Sequence, residues 1–258
     1  MTSSKSDHHK GTRRRHRAQT SDFRVLPWTP VCCVLMTLSA VVVAVSFVMP
    51  HVLGVPLDAW AAPGRAWFDV GNENNLPTWW NAALLMVAAA LASVVACVSW
   101  NGRRAKSPGT TAWWLTGLLL AALSLDEAAS LHERLGRLAN AALPGHGFSY
   151  AWLAVGIPLA LALLTGTVFV TRSLAVVPRR LLLAGLLVLF SGAVGLEAAN
   201  DILVRLSDQA DAHNPHLFHV IYHAEELLEL LGACLLVAAP LSSVQVTHSS
   251  DGVVVKPR

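Results

Sequence analysis

Residues 180–201 read RLLLAGLLVLFSGAVGLEAAND: sixteen apolar or small residues follow Arg180 without a charge, and Glu197 and Asp201 close the run. A bilayer core of ~30 Å takes ~20 mostly apolar residues of helix, so a stretch of this kind predicts a membrane span. Five further runs of the same kind occur at about 29–50, 78–100, 111–131, 149–171 and 217–240. The expected fold is therefore all-α: a polytopic bundle of six transmembrane helices over 29–240. A basic cytoplasmic tail at 1–28, expected to be disordered, precedes it, and a cytoplasmic C-terminal tail at 241–258 follows.

Composition agrees with that frame. The 258 residues are 54% hydrophobic and 14% charged, far below the ~25% charge of a soluble domain, which excludes an ordinary cytosolic enzyme. Cys32, Cys33, Cys97 and Cys234 lie inside apolar runs, where a disulfide framework has no role. The first apolar run is longer than the core of a signal peptide and reads as a retained span.

Lys and Arg are held on the cytoplasmic side, so alternate loops give the orientation. With both termini inside, the inner segments hold 15 of the 19 basic residues and the outer ones keep Arg65, Arg134, Arg137 and Arg205, a split that predicts cytoplasmic termini. Trp28, Trp100, Trp113 and Trp114 fall near inner ends and Trp79, Trp80 and Trp152 near outer ends, as amphipathic indoles prefer. The tail around Lys10, Arg13 to Arg15 and Arg17 is read as a topology determinant attracted to anionic lipid, with no nucleic-acid role. The Ala-, Leu-, Val- and Arg-rich composition fits a bacterial plasma membrane protein.

The acids run the other way. Thirteen of sixteen fall on the outer side or in outer halves of spans, and seven of eleven histidines join them, including His51, His132, His146, His213 and His216. Ionisable groups cost at least ~2.5–3.5 kcal/mol at the centre of a membrane helix and are retained for pairing, transport or catalysis. In LDEAASLHE, residues 125–133, Asp126 and Glu127 precede a further helical turn and read as functional, whereas Glu133 reads as an i,i+4 surface partner of Arg137. Glu197 sits too far inside its span to be a cap; Asp201 is equally a partner for Arg205. In the last span His219, His223 and Glu226 stand at i, i+4 and i+7, a spacing that lets two imidazoles bind one transition metal, with Glu229 on an adjoining face. The outer connection contributes Glu73 in NENNLPTWWN, residues 72–81, where Pro77 and Thr78 suit a helix start. No nucleophile elbow, phosphate-binding glycine loop or zinc-finger cysteine pair occurs.

These segments resemble, over most of the chain, a broadly distributed group of bacterial multi-pass proteins of unassigned function with a Leu-Asp-Glu-Ala…His-Glu segment, a later intramembrane Glu and a Glu-Glu-Leu-Leu-Glu segment. A fainter resemblance is to the CREST superfamily of membrane hydrolases, especially alkaline ceramidases. Their outer Glu-Asn segment, Leu-Asp-Glu and final His-x-x-x-His match Glu73-Asn74, Leu125-Asp126-Glu127 and His219…His223 in order. That likeness implies a zinc hydrolase, but the family's third zinc His and its Ser are replaced by Leu115 and Thr111, and seven spans by six.

The resulting expectation is a metal-dependent hydrolase of a lipid amide or ester at the outer leaflet. Zinc would sit on His219 and His223 with His132 or Glu226, Asp126 or Glu127 would act as general base, and Glu73 or Glu197 would position substrate. A carboxylate-rich set, Glu127, Glu197, Glu226 and His223, would suit two iron ions instead. A proton-coupled transporter and a non-catalytic partner subunit of a membrane complex are the readings from other classes.

Overall fold

The computed structural model describes residues 24–57, 59, 62, 64–100, 108–142, 145, 149–210, 214–249 and 252–257. The basic tail before Arg24, together with Asp58, Arg103, Arg104, Lys106, His146, Asp211, His213 and Arg258, lies outside them. Helices α1 (Trp28–Leu53), α2 (Leu76–Trp100), α3 (Pro108–Ala129), α4 (Leu131–Ala142), α5 (Leu153–Val170), α6 (Val176–Phe190), α7 (Glu197–Ala210) and α8 (Pro215–Ser242) follow in order. The architecture is all-α apart from a small sheet of β1 (Arg24–Val25), β2 (Val244–Ser249) and β3 (Gly252–Pro257).

Local chemistry sets the ends of these helices. Asn214 caps α8 by accepting from His216 N and Leu217 N at 3.2 and 3.3 Å, with Pro215 in the first turn where its missing N–H is harmless. Gly54 stops α1 in the left-handed conformation, φ 63°. Asn75 caps α2, its Oδ1 accepting from Thr78 N at 3.2 Å, so that helix starts at Leu76, just before the Pro77-Thr78 pair.

Among the described residues four stretches are long and apolar enough to cross a membrane: Trp28–Leu53, Leu76–Trp100, Leu153–Ser173 and Val176–Ser207. A fifth, Gly109–Ala129 with Leu131–Ala142, passes only as a pair bent by 80° at Ser130, whose φ is 48°. Helix α8 is 28 residues long but carries Glu225, Glu226 and Glu229. The chain is thus all-α with several helices suited to cross a membrane, and large apolar side chains such as Val52, Leu118, Leu161 and Leu187 stand exposed on its outside, as suits contact with lipid.

The core lies where α8 packs against α1, α2 and α6. Two helices come close enough for small residues to be required: a Cβ on Gly232 would sit 2.7 Å from Gly185 O, and one on Gly192 would sit 2.6 Å from Glu225 O. Strand β2 directly follows α8 and pairs antiparallel with β1, which directly precedes α1, with Arg24 opposite Val246. Both ends of the described chain therefore meet at one end of the bundle. The sequence reading left this region as a plain tail. The alternating Val244-Gln245-Val246-Thr247 pattern forms a hairpin with Val253 to Val255 instead.

Candidate functional site

At the opposite end of the bundle, four connections and helix ends surround a cavity of about 1060 Å³. Ligand pockets usually run ~300–1,000 Å³, so this one lies just above that range. Its walls carry Glu73 from the loop before α2, Asp126 and Glu127 from α3, His132 from α4, Glu197 from α7, and Glu225, Glu226 and Glu229 from α8. Leu119, Leu123, Leu159, Leu163 and Phe190 supply an apolar side.

Each polar wall has a local cause. In the loop before α2, a buried Arg65–Asp69 ion pair and the Asn75 amide, which donates to Asp69 O at 2.6 Å and Asn72 O at 2.8 Å, fold the chain so that Glu73 reaches the cavity. At the α3–α4 bend, Asp126 Oδ1 accepts from His132 N at 2.9 Å while Oδ2 meets His132 Nδ1 at 3.3 Å. Between α6 and α7 the chain makes one wide π turn, Ser191–Leu196, a feature common at functional sites. Beyond it Glu197 Oε1 accepts from Trp152 Nε1 at 2.7 Å. Asp201, fully buried, accepts from Tyr150 N at 2.7 Å and pairs with Arg205 at 2.8 Å, so its role is to hold the 149–152 turn. That turn is why α5 begins at Leu153, four residues after the expected start.

Electrostatics at the rim follow from this placement. Burial raises the Glu73 carboxyl above its ordinary value, with Glu133 and Asp126 adding to the shift and His132 opposing it. Burial also disfavours the charged His132 ring, but the Asp126 hydrogen bond and the charges of Asp126, Glu197 and Glu73 outweigh it and push its pKa up to about 9. Tyr150 is raised by burial and then by Glu197, Glu225 and Asp201. Three buried acceptor oxygens of the wall, Glu73 Oε2, Asn81 Oδ1 and Asn200 Oδ1, have no donor. Such atoms cost ~1–3 kcal/mol each when left unmet.

Of the residues singled out in the sequence, Glu73, Asp126, Glu127, His132, Glu197 and Glu226 share this cavity. His219 and His223 do not join them. Both turn toward α1: His223 Nδ1 donates to His219 O at 2.7 Å, and its Nε2 accepts from Ser46 Oγ at 2.9 Å. His219 Nε2 donates to Phe47 O at 3.1 Å, which leaves Nδ1 to accept from Tyr222 OH at 2.7 Å. All four ring nitrogens are thus engaged by protein. The zinc set of His219 and His223 with His132 or Glu226 does not fit this arrangement, and neither does the iron set, which needs His223. Among the described residues no three His, Cys, Asp or Glu side chains converge on one metal position. Glu133 and Arg137 are both exposed and form no ion pair, contrary to the i,i+4 pairing expected of them.

The residues that sequence reasoning missed are Asn81, Tyr150, Trp152, Tyr222 and Glu225. Trp152 and Asn81 were visible only as an interface anchor and part of a polar segment, whereas Glu225 stood in the same Glu-Glu-x-x-Glu run as Glu226.

Residues 34–244 match the family described as Domain of unknown function (DUF8692). The chain belongs to that family. The match takes in α2 to α8, most of α1 and every cavity wall. No curated protein and no solved structure matches the chain.

Proposed function

We propose that this chain is a six-span plasma membrane protein with cytoplasmic termini that binds an amphiphilic cation in its carboxylate-walled cavity from the outer leaflet, exchanging protons as the cation enters. Six crossings follow if α3, and α8 despite its glutamates, are spans. An even number of crossings agrees with the two chain ends meeting in one sheet. The positive-inside bias then puts the cavity outside.

One observation carries the binding reading: the cavity wall is rich in acceptors and poor in donors. Eight carboxylates face one histidine and the two exposed arginines Arg134 and Arg137, and two further buried oxygens, those of Asn81 and Asn200, lack a donor. A guest bearing an ammonium and an apolar body supplies both the missing donors and a fit to the leucine-lined side. Carboxylates at this density hold protons in the empty cavity and surrender them to an entering positive charge.

The test is binding of radiolabelled dodecylammonium, which carries three N–H donors and an apolar chain, to the detergent-purified protein, with proton release followed in weak buffer. Saturable binding that releases protons, and that weakens at least about tenfold (about 1.4 kcal/mol) in Glu127→Gln and Glu226→Gln, is expected. Equal binding in wild type and both variants would overturn the reading. Orientation is tested separately by a C-terminal fluorescent-protein fusion, which should fluoresce only if that end is cytoplasmic.

A second reading, hydrolysis of a lipid amide or ester without a metal, draws on Glu73 and His132. A carboxyl raised above its ordinary value can take a proton from water, and a protonated imidazole across the same cavity can stabilise an oxyanion. Release of free fatty acid from lipid substrates, lost in Glu73→Gln, would support it.

A further inference from the structure

We propose that the guest is a zwitterionic aminophospholipid, whose phosphate is held by Arg134 and Arg137 while its ammonium enters the carboxylate cavity; this rests on the cation-binding reading above. The two arginines differ from the other basic side chains at this end. Arg65 is committed to Asp69 and Arg205 to Asp201, both over short ion pairs with buried carboxylates. Arg134 and Arg137 form no ion pair among the described residues, although Glu133 lies beside them and glutamates line the adjoining wall.

Their position gives this freedom a use. They stand at i and i+3 on α4, so one helix face presents both guanidinium groups. Both line the large cavity and also a second hollow of about 350 Å³ directly beside it, shared with Asn74 and Ser130. Asn74 and Ser130 are the two described non-glycine residues with left-handed backbone, φ 59° and 48°, and their turns bring an amide and a hydroxyl to the same hollow as the arginines. The Ser130 hydroxyl is engaged by Glu73, and the guanidinium forks with the Asn74 amide beside them suit a phosphate.

The deeper end of the cavity suits the opposite charge. Asn81 is 1% exposed, its Oδ1 has no donor, and its Nδ2 is spent on Glu229 Oε2 at 3.4 Å. An ammonium with three N–H donors satisfies such an oxygen together with neighbouring carboxylates, whereas a quaternary ammonium has no N–H to give. Acyl chains then lie along the α3 and α5 leucines toward lipid. The order along the wall is thus arginines, carboxylates and leucines, the same set of groups carried by a phospholipid with a primary amine.

The experiment displaces radiolabelled dodecylammonium from the detergent-solubilised full chain with dioleoyl phosphatidylethanolamine, dioleoyl phosphatidylcholine or dioleoyl phosphatidylglycerol. Phosphatidylethanolamine is expected to compete at least about tenfold better than the other two phospholipids. The double variant Arg134→Ala, Arg137→Ala, on an exposed helix face, should weaken competition by phosphatidylethanolamine at least about tenfold while binding dodecylammonium at least as well as wild type does; Arg134→Lys, Arg137→Lys should recover part of the loss. Equal competition by the three phospholipids would overturn the primary-amine assignment, and unchanged phosphatidylethanolamine competition in the Arg→Ala variant would overturn the phosphate assignment; either result leaves the cation reading standing. Failure of dodecylammonium to bind would overturn both.

Discussion

Asp126 grips His132 twice, through its backbone N–H at 2.9 Å and its ring Nδ1 at 3.3 Å, and so staples the 80° bend between α3 and α4. The ring's pKa is raised to about 9, from an ordinary value near 6.5. Its contribution to stability is therefore complete below about pH 6.5, declines above that, and is gone once the pH has risen through about 9. Thermal unfolding of wild type and His132→Gln in detergent should differ most near pH 6 and converge by about pH 10. A gap that stays constant, or widens with pH, contradicts the ion pair.

Trp152 is held between Glu197 and Gly156. Its indole N–H is the donor to Glu197 Oε1, and a Cβ on Gly156 would lie 2.0 Å from its Cζ3. Trp152→Phe removes the donor and should cost ~1–3 kcal/mol by leaving a buried carboxylate oxygen unmet. Gly156→Ala must swing the indole aside and should cost a similar amount. In the double variant the smaller ring no longer meets the new methyl, so the combined loss should fall well short of the sum. Additive losses in denaturation curves would show that the two positions do not act through the indole.

Glycines in this bundle are not equivalent. A methyl on Gly232 would meet Leu189 N at 2.6 Å and Gly185 O at 2.7 Å, both backbone atoms that cannot step aside. Gly232→Ala should therefore separate α6 from α8 and destabilise by ~1–3 kcal/mol or more. Gly166 on α5 has nothing within 4 Å of such a methyl, and Gly166→Ala should be neutral or gain up to about 1 kcal/mol from helix propensity. Melting temperatures of the two variants, compared in one detergent, check the contrast; equal effects would mean that the α6–α8 contact is looser than the Gly185–Gly232 approach requires.

What the sequence made legible was whatever depends on one helix at a time. Apolar runs located the helices to within a few residues, and the clustering of acids at one end anticipated a shared polar site. The bend at Ser130 was not legible, because neither glycine nor proline marks it; the left-handed turn is stabilised by Asp126 reaching His132 across the break. The histidine stripe was misread for a related reason. His219 and His223 lie within about 60° of Glu226 on a helical wheel, so periodicity puts them on one face. Which neighbour that face meets depends on how α8 is rotated against α1, and here the rotation divides the stripe. Glu226 borders the cavity, and the imidazoles pack on Phe47 with ring centroids 4.7 and 5.1 Å away.

That division makes Ser46 a test of the histidines' role. Its hydroxyl donates to His223 Nε2 at 2.9 Å and accepts from Val70 N at 3.0 Å, so one buried oxygen ties α8 to α1 and to the loop carrying Glu73. Ser46→Ala leaves a ring nitrogen and a backbone N–H unmet and should cost ~1–3 kcal/mol in unfolding free energy. His223→Ala should cost at least as much, since it also removes a packed ring from beside Phe47. Neither Ser46 nor His223 itself lines the cavity, so dodecylammonium affinity of the folded fraction should stay within about twofold, below about 0.5 kcal/mol, and added zinc should alter it no more in wild type than in His223→Ala. Zinc-dependent binding or activity that vanishes in His223→Ala while the fold survives would instead return the histidine pair to the site and require α8 to turn in the membrane.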